Sequence, residues 1–124
     1  MRDTALFVGW GKTHPERVKF ALKHEEEWKK ILIGLKKEGV IEDYETVLLG
    51  PHGGELDGFT LVFGSPEKLA LLPMRKELEL LRMKATMDHA FFTIVPAFVG
   101  EGVERQISLY EEVIKEYERE PALV

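Results

Sequence analysis

Short runs that are apolar on both faces alternate along the chain with longer runs whose apolar residues recur every three or four positions. The first kind reads as strands and the second as helices. In chain order they predict strand, helix, strand, turn, strand, helix, strand, helix. Strand 1 spans Thr4 to Trp10, with Ala5, Phe7 and Gly9 facing one way and Leu6, Val8 and Trp10 the other. The first helix runs from Pro15 to Glu38 on a stripe of Val18, Ala21, Leu22, Trp28, Ile31, Leu32 and Leu35. Thr13 with Glu16 fits a capping box, Pro15 suits the first turn, and Gly39 is the stop. Strand 2 is Tyr44 to Leu49 and strand 3 is Leu56 to Phe63, separated by the turn residues Gly50-Pro51-His52-Gly53-Gly54-Glu55. Ser65 caps the second helix and Pro66 opens it; Pro73 must break it, leaving a longer piece from Met74 to about Met87. Strand 4 is His89 to Val99, with Pro96 inside it. The last helix runs from about Gly102 to Arg119, with Val103, Ile107, Tyr110, Ile114 and Tyr117 as an apolar seam and Pro121 ending it.

The core order is therefore βαββαβ. Right-handed crossovers turn that order into a four-stranded antiparallel sheet with two helices on one face, an α+β arrangement of the ferredoxin-like kind. Strands 2 and 4 become the edges, and an edge is where a proline such as Pro96 is tolerated. All four strands read as apolar on both faces, yet the helices cover only one side. The other side must meet a second sheet, most simply a copy of itself, which predicts a sheet-to-sheet homodimer. At 124 residues the chain is expected to be one domain, with a core over 4–99 and a C-terminal helix over about 102–119.

Composition narrows the partners. A formal net charge of -5 argues against nucleic acid and against an anionic membrane surface, both of which call for a basic patch. No run approaches the length of a membrane span and no basic-then-apolar leader opens the chain, so a cytoplasmic protein is expected. There is no cysteine, which removes disulfides, thiolate metal sites and a cysteine nucleophile together. Asparagine is also absent and Gln106 is the lone glutamine; few amides beside abundant Glu and Lys is a thermophile-like composition.

On element order and hydropathy from Thr4 to Val99, the chain resembles the dimeric α+β barrel superfamily. That group holds antibiotic-biosynthesis monooxygenases, muconolactone isomerases, haem-degrading monooxygenases, stress-responsive barrel proteins and YciI-like proteins. The stretches Ala5 to Gly11, Val47 to Gly54 and Val99 to Val103 are similar to an uncharacterised bacterial branch. The resemblance implies a dimer and a pocket between sheet and helices. It does not carry over the monooxygenases' Asn, Trp and His trio, because this chain has no Asn.

Few residues carry chemistry. His24 and Glu25 interrupt the stripe of the first helix between Ala21 and Trp28, which would set an imidazole, a carboxylate and an indole at one pocket mouth as a catalytic pair. The plain alternative is that both flank the stripe and touch water. Trp10 and Trp28 suit an aromatic wall for a flat apolar ligand, or simply core. His52 sits among three glycines whose bare amides suit an anion, or merely a turn. His89 beside Asp88 suits proton transfer, or a helix-to-strand junction with Asp88 exposed and His89 closing the core. No histidine pair has metal-ligand spacing, and no bound cofactor is expected. Two functions follow. One is binding or conversion of a small apolar or aromatic molecule without a bound cofactor, by an oxygenase, an isomerase or a similar enzyme. The other is a non-catalytic module that senses a ligand or docks a protein through its last helix.

Overall fold

The structure, a computed structural model, describes residues 2–119; the expected stop at Pro121 lies outside the described residues. Four strands, β1 (Thr4–Gly11), β2 (Asp43–Leu48), β3 (Leu56–Phe63) and β4 (Phe92–Phe98), form one antiparallel sheet in the order β2-β3-β1-β4. The helices are α1 (Val18–Lys37), α2 (Pro66–Leu71), α3 (Lys76–Asp88) and α4 (Glu101–Arg119). β2 and β4 are the edges, and Pro96 pairs with Leu6 on the inner side of β4 while its outer side is free.

The core lies between the sheet and α1, α2 and α3. Leu6, Val8, Val62 and Ile94 look up from the strands, and Trp28, Leu32, Leu35, Leu69, Leu78 and Leu81 look down on them. A polar thread runs from the buried layer to the exposed β2 edge: the Trp28 indole donates to buried Thr60 Oγ1 at 3.0 Å, and Thr60 pairs with exposed Thr46 Oγ1 at 2.9 Å. Gly39, at φ 78°, reverses the chain after α1, where a left-handed residue favours glycine. Ser65 Oγ accepts from the Lys68 amide and caps α2. Pro73 falls in a single 3₁₀ turn, Leu72–Met74, that separates α2 from α3.

Four local expectations are corrected. Thr13 and Glu16 form no capping box: a 3₁₀ turn at Pro15–Arg17 precedes α1, and Thr13 is bridged to His89 across the fold. Strand 4 starts at Phe92 and not at His89, because the His89 amide still closes the last turn of α3 on the Ala85 carbonyl. Val18 and Leu22 are exposed, so the inward stripe of α1 is Ala21, His24, Glu25, Trp28, Ile31, Leu32 and Leu35. β2 is not apolar on both faces. It carries Asp43 and Glu45 on the helix-free side, and Asp43 is tied at the sheet edge to Arg2 at 2.6 Å and Lys36 at 3.1 Å.

The middle of the helix-free side is apolar, with Phe7 and Phe59 stacked at 5.2 Å between centroids and Leu61 and Val95 beside them, while Thr93 and Asp57 lie toward one end.

Candidate functional site

The site forms where two chain junctions are laced together. After Trp10 the β1–β3 register slips, and the chain leaves the sheet toward α1. The α3–β4 connection runs alongside it: His14 N donates to Asp88 O at 2.8 Å, Ala90 N to Lys12 O at 2.7 Å, and Gly11 N to Phe91 O at 2.9 Å. These bonds hold the last residue of α3 against the first turns of α1.

That last residue is Asp88, and its side chain is 0% exposed. A carboxylate at a helix C-terminus faces the negative end of the peptide dipoles, so it needs a cation. Arg17 supplies one: its Nε and Nη2 donate to Asp88 Oδ1 at 3.1 and 2.9 Å, and its side chain keeps 24% of its exposure. The other oxygen, Oδ2, meets His24 Nδ1 in a short contact. A carboxylate only accepts, so Nδ1 is the donor in this contact. Nε2 has no hydrogen-bond partner among the described residues and belongs to a side chain that lines a pocket.

The pocket is walled by Val8, Trp10, Trp28, Leu81 and Phe92, with His24, Glu25, Asp88 and His89 as its polar groups. Trp10 lies flat over Gly58, where a Cβ would come within 2.8 Å of the indole, so glycine there seats the ring. Burial pushes the Glu25 carboxyl above its ordinary range, opposed by nearby Lys29. Burial likewise holds the His89 imidazole below its ordinary range, against the opposing pull of Asp88, while its Nδ1 meets Thr13 Oγ1 at 3.2 Å. The cavity is small, about 30 Å³, room for about one water. A larger cleft of about 490 Å³ opens between α2 and the β1–β4 end of the sheet, but its lining, including Leu6, Leu69, Pro73 and Pro96, holds no titratable group.

The structure thus brings His24, Glu25, Trp10, Trp28 and His89 around one space. His52 stays apart. Its Nδ1 accepts from Gly54 N at 2.8 Å and its Nε2 meets Leu56 O at 2.6 Å, so both nitrogens are used in folding its own loop. The expected roles of the Asp88–His89 pair are exchanged: Asp88 is the buried residue and His89 the half-buried pocket wall. Arg17 was not among the expected site residues and Asp88 was weighed only beside His89, although one signal for their pairing was present. α3 has no basic residue in its last turn, so a carboxylate ending it required a partner from elsewhere in the chain. Among the described residues no three His, Asp or Glu side chains converge as metal ligands. No helix among them is long and apolar enough to cross a membrane.

No family model and no curated protein matches the sequence. Among solved structures, the chain is similar to a dimeric protein of unknown function and ferredoxin-like fold from Bacteroides fragilis. The TM-score is 0.54 at 13% identity, over 77% of this chain and 96% of that one. This fold is ferredoxin-like. At that identity the likeness concerns the fold alone.

Proposed function

We propose that the protein is a homodimer that binds a small apolar or aromatic molecule at the His24 pocket and moves a proton on it, without a bound cofactor. The observation that carries this reading is the buried Asp88, held by Arg17 and aimed at His24 Nδ1 beside two indoles. In that arrangement His24 Nε2 takes a proton from the ligand, Asp88 stabilises the imidazolium that forms, and Arg17 fixes the carboxylate. Glu25, whose carboxyl burial shifts upward, returns a proton at a second ligand atom. One proton leaves the ligand and one is restored, which is the balance of an isomerisation; water then takes the proton from His24 and returns one to Glu25, restoring both groups. Trp10, Trp28 and Phe92 supply flat apolar contact. The dimer part of the proposal draws on the apolar open side of the sheet and on the dimeric neighbour.

The competing reading is a non-catalytic ligand sensor or docking module, and the narrowness of the cavity favours it. A crystal structure and native mass spectrum of protein purified without added ligand separate the two. Bound density or added mass at His24 and Trp28, lost in His24→Ala, supports the first reading. A collapsed, empty pocket in a protein identical to His24→Ala in both measurements supports the second.

A further inference from the structure

The first turn of α4 is bolted to the domain, and the rest of the helix covers nothing on it. Val99 N donates to Asp3 O at 3.0 Å, Gly102 N to Val99 O at 2.9 Å, and Gly100 turns the chain at φ 54°. A Cβ at Gly102 would collide with the Asp3 carbonyl, and one at Gly100 would come within 2.8 Å of the Arg2 carbonyl. The direction of α4 is therefore fixed by backbone packing. Beyond that turn no residue of the helix is buried, and Val103, Ile107, Tyr110, Ile114 and Tyr117 are 43–70% exposed. Their spacing of four and three is the seam of a helix that packs on another surface. An isolated helix of this length is marginal in water and needs such packing.

We infer that α4 is an arm that lies against a second copy of this chain and supplies a large share of the dimer contact. The inference rests on the homodimer proposed above. Area argues for the second copy as occupant. A four-stranded face of about seven residues per strand projects about 450 Å². Stable interfaces cover about 800 Å² per partner. Part of the open face is further occupied by the charges of Asp43 and Glu45. An arm of 19 residues adds a strip about 28 Å long and about 10 Å wide, which brings the sum close to that requirement. The two free apolar surfaces adjoin through β4, so one two-fold contact can cover both.

The test is sedimentation equilibrium on the full chain, with hydrogen exchange read along α4. The wild type is expected at 28.4 kDa, twice the 14.2 kDa chain, with α4 amides protected and that protection lost on dilution. The double variant Ile107→Asp, Ile114→Asp is expected to raise the dimer Kd at least about a hundred-fold while keeping a folded monomer by circular dichroism. Val95→Asp, on the open sheet face, should also weaken the dimer. If Val95→Asp dissociates it and the α4 variant does not, the arm is refuted and the sheet contact stands. Unprotected α4 amides in a wild-type dimer refute the arm equally. A wild type that is monomeric at every concentration overturns the arm and the homodimer together.

Discussion

Replacing Asp88 with alanine examines the physical core of the site. The substitution removes the acceptor of both Arg17 bonds and of the His24 contact from a position with no solvent exposure. Removing one partner of a fully buried ion pair costs about 3–5 kcal/mol. Here Arg17 keeps 24% of its side-chain exposure and can turn toward water, which places the loss near the low end. Relief of the unfavourable dipole at the end of α3 returns about 0.5 kcal/mol. The expected net loss is about 2.5 kcal/mol, or a fall in Tm of roughly 8–12 °C for a chain of this size. The assay is urea unfolding at neutral pH and one fixed protein concentration, because the apparent stability of a self-associating protein depends on concentration. Arg17→Ala and the double variant complete a cycle in which the Arg17–Asp88 coupling should be about 2 kcal/mol. A loss below about 1 kcal/mol with no coupling would refute the claim that Asp88 is held charged and buried by Arg17.

Three further outcomes are expected. Burial raises the Glu25 pKa in the folded state, so the contribution of Glu25 to stability is most favourable below the unfolded value near 4.5 and is lost as pH rises through the folded value. Glu25→Gln should therefore be more stable than wild type at neutral pH and lose that advantage at about pH 3, read by thermal melts across pH. Gly102→Ala sets a methyl against the Asp3 carbonyl and should lower Tm by several degrees with disturbed α4 exchange, whereas Gly34→Ala, which meets nothing, should not. His52→Ala removes two hydrogen bonds from an exposed loop and should cost about 1 kcal/mol in urea unfolding while leaving ligand binding at Trp10 and Trp28 unchanged.

The topology was legible because hydrophobic period and punctuation agreed along the chain. Gly39, Ser65 and Pro73 each act where their chemistry requires, and Pro96 lies on an edge as its missing donor demands. Boundaries failed where a side chain had two uses. Thr13 had the right spacing for a cap, but its hydroxyl is drawn to His89, a contact 76 residues distant that local pattern cannot reveal. The candidate site was half legible. His24 and Glu25 stood out as polar residues on an inward stripe, and Trp28 lies one turn further along it. Asp88 was hidden because polar residues at helix ends are ordinarily exposed; its burial depends on an arginine from another element. β2 was misread because its Val47-Leu48-Leu49 end is apolar, while its Asp43 and Glu45 end meets water and cations.

The claim at the centre is that the His24 pocket takes a flat apolar ligand. The chain has two tryptophans, so a proton–nitrogen NMR spectrum shows two indole signals, Trp28 marked by its bond to Thr60. Titration with a panel of small phenols should move the Trp10 indole and the His24 ring together and saturably, and His24→Ala should abolish the response. Saturable shifts that avoid both groups, or none at any concentration, would contradict the account.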